Sequence, residues 1–362
     1  MKVLMTADPI GGVWNCALEL CTALRRLRVQ VALATLGRSL RAHQRQQIAA
    51  LPNVSLYESE FRLEWMPEPW EDLDRAGEWL LRIEKHVRPD VVHLNHLVHA
   101  DLAWMSPVVS VGHSCVLSWW AAVRREAVPA EWATYRQRVT DSLRAARYVV
   151  APTQAMLMEL ERYYGPFHQT AVIHNARDAR LFTAGRKERM VLCAGRLWDG
   201  AKNVGALAAV ATRVAAPVFL AGETVDPQGR RIEPPGMGLL GSLDPPELAA
   251  WYQKAAIYAL PARYEPFGLT ALEAALSGCA LVLGDIDSLR EVWGPAARYV
   301  QPDDHAALRD TLNELLLNDA LRNRLAARAM ARARLFAPTR FARQYVDLYR
   351  QVQCISPCSI TP

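Results

Sequence analysis

No stretch of the 362-residue chain approaches the ~18 consecutive apolar residues that a membrane-spanning helix needs, so no span is expected. The N-terminal Met1–Ile10 reads as a short strand and lacks the basic-then-apolar layout of a secretory leader, which points to the cytoplasm. The cysteines build no framework. There are seven, an odd number, at positions 16, 21, 115, 193, 279, 354 and 358, and no C-x-x-C occurs. Cys16, Cys21, Cys193 and Cys279 sit in apolar runs and are expected as reduced, buried thiols, while Cys354 and Cys358 lie in a Pro/Ser-rich tail. Two nucleotide-binding signatures are missing: G-x-G-x-x-G and the G-x4-G-K-[ST] loop, which argues against NAD enzymes and P-loop NTPases. Internal repeats and low-complexity segments are absent too. Lysine is scarce, with only Lys2, Lys85, Lys187, Lys202 and Lys254.

What is present is a globular balance of 51% hydrophobic and 22% charged residues, which excludes wholesale disorder. The net charge is +5, from 42 basic and 37 acidic residues. A nucleic-acid binder would concentrate charge on one face, so no such partner is expected. The charge is segregated instead. Residues 21–50 hold Arg25, Arg26, Arg28, Arg38, Arg41 and Arg45 with no acid, and residues 56–80 hold eight acids against Arg62 and Arg75. The basic stretch is a candidate for peripheral contact with an anionic membrane face, and solvated helix faces explain it equally simply. The acidic stretch, with Trp65, Met66 and Trp70, reads as a mobile flap or an exposed loop.

Apolar runs and helical patterns alternate twice along the chain. The first series predicts strands at Val3–Thr6, Val31–Thr35, Val91–Leu94, Val108–Val111, Tyr148–Ala151 and Ala171–His174. Helices are expected at Val13–Leu27, Asp72–Val87, Glu131–Ala145 and Thr153–Tyr163, the last N-capped by Thr153. The second series predicts strands at Met190–Ala194, Val218–Ala221, Ala256–Leu260, Ala280–Leu283 and Arg298–Val300, with helices between them. Short β-branched runs of this kind are parallel strands buried on both faces, so two doubly wound α/β domains are expected. They would span residues 1–175 and 176–336, joined through a polar linker within Asn175–Lys187. A C-terminal helix over 337–352 would cross back to the first domain, and a tail would cover 353–362. In such folds ligands bind beyond the carboxyl ends of the strands.

The strand ends carry the chemistry. The first strand runs into Gly11-Gly12 and a helix, which lets backbone amides approach an anionic ligand, or simply makes a turn. After Met190–Ala194 comes Gly195-Arg196-Leu197-Trp198-Asp199-Gly200-Ala201-Lys202-Asn203. An arginine and a rare lysine there suit clustered phosphates, and two solvated cations would suit the sequence equally. After Ile257–Leu260 comes Glu265-Pro266-Phe267-Gly268-Leu269, with Glu273 one turn into the helix that follows. Glu265 can face the reacting end of a ligand and Glu273 can accept hydrogen bonds from a ribose, while backbone amides at Phe267–Leu269 remain for a diphosphate.

These residues together resemble the donor site of the retaining glycosyltransferases of family 4, with their E-x7-E pair and GT-B fold of two Rossmann-like domains facing across a cleft. The resemblance covers essentially the whole chain. It implies that Arg196 and Lys202 neutralise a donor diphosphate, that Glu265 holds hydroxyls of the transferred sugar, and that Glu273 binds the nucleotide ribose. Amides at Phe267, Gly268 and Leu269 would complete the cradle, with Gly11 and Gly12 at the donor from the first domain. Leu243, in Leu240-Gly241-Ser242-Leu243, resembles the stretch that reads the base. Val111-Gly112-His113-Ser114 resembles the strand end that presents a histidine to the donor sugar, which makes His113 a catalytic-face residue. His93, Asn95, His96 and His99 are a candidate acceptor wall. The chain departs from the family where His174-Asn175-Ala176 replaces Pro-Asn-Gly and where Gly222-Glu223 replaces Gly-Asp or a double glycine.

The implied reaction moves a hexose from a nucleotide-diphosphate sugar to the hydroxyl of a glycan, lipid-linked or small-molecule acceptor, with retention and by a front-face route. A UDP-sugar is favoured, UDP-glucose first, with GDP-mannose and ADP-glucose open. No cofactor and no metal are expected. Asp285-Ile286-Asp287 spells D-x-D but reads as a loop and helix N-cap. A phosphorylase would need a Schiff-base lysine, and the one loop-end lysine already has a diphosphate role. A non-catalytic scaffold at a membrane surface, docking through the basic stretch and Trp119-Trp120, is the alternative of a different class.

Overall fold

A computed structural model of the chain describes residues 1–226 and 229–354; Cys358 lies outside them. The chain divides into two compact units. One comprises Met1–Ala121, Glu126–Ala176 and the chain from Pro338; the other comprises Ala122–Arg125 and Arg177–Ala337.

In the first unit Lys2–Ala7 (β1), Gln30–Thr35 (β2), Val54–Glu58 (β3), Val91–Leu94 (β4), Val108–Val111 (β5), Tyr148–Ala151 (β6) and Thr170–Val172 (β7) form one sheet. All pairs are parallel, in the order β3-β2-β1-β4-β5-β6-β7. Val3, Leu4 and Met5 of β1 have no exposure, because helices cover both faces of the sheet. The edge strand β3 escapes a search for apolar runs: its side chains are exposed or half-buried. Strand order reverses between β1 and β4, which opens a crevice beyond their carboxyl ends.

Thr153 caps the helix Gln154–Tyr164 as expected, accepting from the Met156 amide at 3.1 Å. The C-terminal helix Pro338–Cys354 packs against the helix Gly12–Arg26. Its stripe Phe341, Ala342, Tyr345, Val346, Leu348, Tyr349 and Val352 is buried, and each large side chain contributes about 1.5–3 kcal/mol by leaving water. The acidic stretch is not a free flap. Leu63 and Glu64 are buried, Glu58 pairs with Arg45 at 2.8 Å, and Asp74 pairs with Arg138 at 2.5 Å.

In the second unit Glu188–Ala194 (β8), Val218–Ala221 (β9), Gly238–Gly241 (β10), Ala255–Leu260 (β11), Ala280–Gly284 (β12) and Arg298–Val300 (β13) form a parallel sheet in the order β10-β9-β8-β11-β12-β13. The unpredicted strand β10 is again an edge, and its Gly-Leu-Leu-Gly sequence carries no β-branched residue. Order reverses here between β8 and β11. Backbones close tightly at this point: a Cβ on Gly222, at φ +140°, would lie 1.8 Å from the Gly195 carbonyl oxygen. Only glycine fits there. Helices not foreseen are Ala42–Ala49, Val116–Val123 and Asp319–Ala333. No helix among the described residues is long and apolar enough to cross a membrane.

Candidate active site

The loops after β8 and β11 are stitched together at the reversal point of the second sheet. Asn203, in a left-handed conformation (φ 54°), donates from Nδ2 to the carbonyls of Pro261 at 2.9 Å and Pro302 at 2.7 Å. The Arg263 amide donates back to the Ala201 carbonyl at 2.9 Å. Asp199 caps the turn Gly200–Lys202 by accepting from the Ala201 amide at 2.9 Å, and its second oxygen holds Arg196 at 3.2 Å. Two residues far apart in sequence thereby meet: Lys202 Nζ lies 2.5 Å from Glu265 Oε2. Lys202 is 16% exposed and Arg196 45%, so the lysine is the more enclosed of the two cations. Arg196 also stacks over Trp198, 5.7 Å from the ring centre.

Glu265 is tied at three points. Oε2 takes Lys202, Oε1 accepts from the Gly268 amide at 3.1 Å, and its carbonyl accepts from Ser288 Oγ at 2.6 Å. The sequence reading assigned the Gly268 amide to a ligand; in the structure it serves Glu265. The reason is the left-handed turn at Gly268 (φ +88°), which folds its N–H back over residue 265. Phe267 is buried with its ring edge-on to Phe336, and Leu269 begins the helix Leu269–Leu276, whose first turn receives no side-chain cap. Leu243 is half-buried beyond the end of β10, with β9 between that strand and β8.

Glu273 differs most from its expected surroundings. It is 5% exposed, and Oε1 lies 2.8 Å from Nε of Arg177, a residue that sequence reasoning left in the linker. Arg177 also sits over the Phe182 ring at 5.2 Å. Burial raises the Glu273 carboxyl above the usual range, and the Arg177 charge opposes that rise. A ribose reaching Glu273 would therefore find a carboxylate already paired. Asp285-Ile286-Asp287 is also corrected: Asp285 is bound to Arg290, and Ile286, not an aspartate, occupies the N-cap. Among the described residues no three His, Cys, Asp or Glu are grouped to hold a metal ion.

In the first unit Gly11 is the N-cap of the helix Gly12–Arg26, and both glycines are exposed. No side chain caps that helix. His93, Asn95, His96 and His99 do not form an open wall. All four are buried, because β4 is central in its sheet and the segment after it turns under the chain. They belong to two hydrogen-bond chains. In one, His99 Nε2 donates to the Leu73 carbonyl at 2.8 Å, His96 Nε2 donates to His99 Nδ1 at 2.8 Å, and Thr6 Oγ1 donates to His96 Nδ1 at 2.9 Å. The carbonyl end sets every proton in this chain, since it can only accept. In the other chain Tyr349, His93, Asn95 and His113 are joined at 2.6, 3.1 and 2.8 Å.

Burial lowers all four histidines: His93 to about 3, His99 and His113 to about 4, and His96 well below the usual value. Unfolded, each would titrate near 6.5. Between pH 6.5 and 4 the unfolded chain therefore binds more protons, and stability falls as pH falls through that window. We expect the urea midpoint to drop from pH 7 to pH 5; an unchanged or rising midpoint would contradict the buried network.

Residues 10–181 match the family described as Glycosyltransferase Family 4, and residues 188–318 match Glycosyl transferases group 1. The chain is 38% identical over 109 residues to D-inositol 3-phosphate glycosyltransferase of Nocardioides sp., covering 30% of this chain and 24% of that protein. It thus spans about a quarter of the length of that relative. Glycogen synthase of Mycobacterium tuberculosis is 30% identical over 290 residues, covering 71% of this chain and 68% of that protein. Among solved structures, sucrose-phosphate synthase from Thermosynechococcus elongatus superposes with a TM-score of 0.81 at 20% identity, over 98% of this chain and 100% of that one. Anabaena HepE in complex with UDP and glucose gives 0.75 at 17% identity, over 97% and 100%. These likenesses show the GT-B fold, and the sequence matches extend over both series of strands: the chain belongs to glycosyltransferase family 4.

Proposed function

We propose that the chain transfers a hexose from a nucleotide-diphosphate sugar, a UDP-sugar and UDP-glucose first, to an acceptor hydroxyl. The observation that carries this reading is the pairing of Lys202 with Glu265, beside Arg196, at the reversal point of the second sheet. A diphosphate placed there would meet two cations, and a sugar beyond it would meet the Glu265 carboxylate. The anomeric carbon–phosphate oxygen bond breaks as the acceptor oxygen bonds to that carbon from the same face, which retains its configuration. The acceptor proton passes to the departing phosphate. Lys202 and Arg196 stabilise the charge that develops on the diphosphate, so the reaction needs positioning and electrostatics and no metal. HepE, whose structure holds UDP and glucose, supports the choice of UDP. Arg25, Arg26, Arg28, Arg38 and Arg41 are exposed, and none forms an ion pair with a carboxylate among the described residues, which supports peripheral contact with an anionic surface.

Calorimetric titration with UDP, GDP and ADP, without divalent metal, tests the donor. We expect selective binding of UDP that is lost in Glu273→Ala. Selective binding of GDP would move the reading to a mannosyltransferase, and binding of none would favour the scaffold.

A further inference from the structure

We propose that Asn95 is a positioning residue that fixes the tautomer of His113, so that its ring offers Nδ1 as a hydrogen-bond acceptor to a substrate hydroxyl. This rests on the proposed function, a reaction between hydroxyl-bearing substrates. The orientation of the Asn95 amide is determined by its other end. Nδ2 donates to the Thr6 carbonyl at 2.8 Å, and the Asn95 backbone amide donates to Thr6 Oγ1 at 2.9 Å. Turning the amide over would place an NH2 against two imidazoles and an oxygen against a carbonyl, so Oδ1 must face the rings.

That oxygen receives Nε2 of His113 at 2.8 Å and Nε2 of His93 at 3.1 Å. An amide oxygen can only accept, so each ring carries its proton on Nε2. His93 then has Nδ1 as an acceptor and takes the Tyr349 hydroxyl at 2.6 Å, from the C-terminal helix. His113 has no such partner for Nδ1 among the described residues. Its lone pair is presented for a group that donates. A sugar hydroxyl satisfies it, while a fluorine or methoxy group at the same position does not. The neighbours agree, since every donor and acceptor between Thr6, His93 and Tyr349 has one consistent assignment.

The test uses the full chain labelled with 15N-histidine and two-bond 1H–15N correlation, with the His113 signals identified by their loss in His113→Gln. At pH 7 we expect the Nε2–H pattern for His113. Asn95→Asp keeps the acceptor, so it should keep that pattern and move the His113 titration upwards, because a carboxylate favours the imidazolium. Asn95→Leu, of similar volume, should lose the pattern and lower kcat about tenfold, the worth of one orienting hydrogen bond, with KM little changed. An Nδ1–H pattern in the unaltered chain overturns the proposal, and so does an unchanged pattern or unchanged kcat in a folded Asn95→Leu. If that variant does not fold, the unaltered chain and Asn95→Asp decide between the outcomes. The spectra need no turnover. A chain with the expected pattern that transfers no sugar would defeat the functional reading alone.

Discussion

Lys202→Ala is expected to lower kcat for sugar transfer by about 10²–10³-fold, the usual cost of removing one preorganised group that stabilises transition-state charge. The structure explains why the effect should fall on kcat. Lys202 is nearly buried and already held 2.5 Å from Glu265, so it loses little freedom when charge develops on a leaving diphosphate. Arg196→Ala should lose less in kcat and more in binding, since Arg196 is half exposed and would have to leave Asp199 to meet a diphosphate. Lys202→Ala also strips Glu265 of one of its three partners. Gly268 and Ser288 still hold it, so the loop should stay folded. The measurement is kcat and KM with a saturating acceptor and the nucleotide sugar selected by titration. Near-normal turnover in Lys202→Ala would remove the charge-stabilising role from this site.

Arg177→Ala should destabilise the second unit strongly, by about 3–5 kcal/mol, because it leaves the Glu273 charge buried and without its cation. The two side chains are 11% and 7% exposed, so water cannot substitute for the guanidinium without opening the fold. Without Arg177, Glu273 would escape its charge by keeping a proton. Its folded pKa, already raised by burial, would rise further above the unfolded value. A raised carboxyl makes the folded state bind more protons, so the deficit should shrink as pH falls towards 5 and grow towards 8. Adding Glu273→Gln should restore much of the loss, since a neutral amide does not need the cation. Urea unfolding of the unaltered chain, Arg177→Ala, Glu273→Gln and the double variant at pH 5 and pH 8 reads all of this. A loss within about 1 kcal/mol would mean the pair behaves as a solvated one.

The positions of the chemical groups were legible in the chain to different depths. Arg196, Lys202, Glu265 and Glu273 follow strand runs so apolar that they must be central, and a residue just beyond a central strand lies at the mouth of a crevice. Two of the four edge strands, β3 and β10, gave no such signal, while the edges β7 and β13 did. In β3 and β10 no side chain is fully buried, so neither is a β-branched run. Arg177 was invisible for a different reason: nothing in its neighbourhood along the chain hints that Glu273, 96 positions away, needs a counter-charge.

The sequence by itself determined the class of fold and the strand ends that carry the candidate site residues, because both follow from local runs of buried residues and the turns that break them. Only the tertiary structure decided the pairings: Lys202 with Glu265, Arg177 with Glu273, and Asn95 between two imidazoles. Hydrogen bonds and buried ion pairs act over about 3 Å, and the two ion pairs join groups that the chain separates by 63 and 96 positions. Their partners are fixed by which strands lie side by side. Thus a histidine cluster that looks in sequence like an open binding wall becomes, beneath the loops of a central strand, a buried hydrogen-bond network.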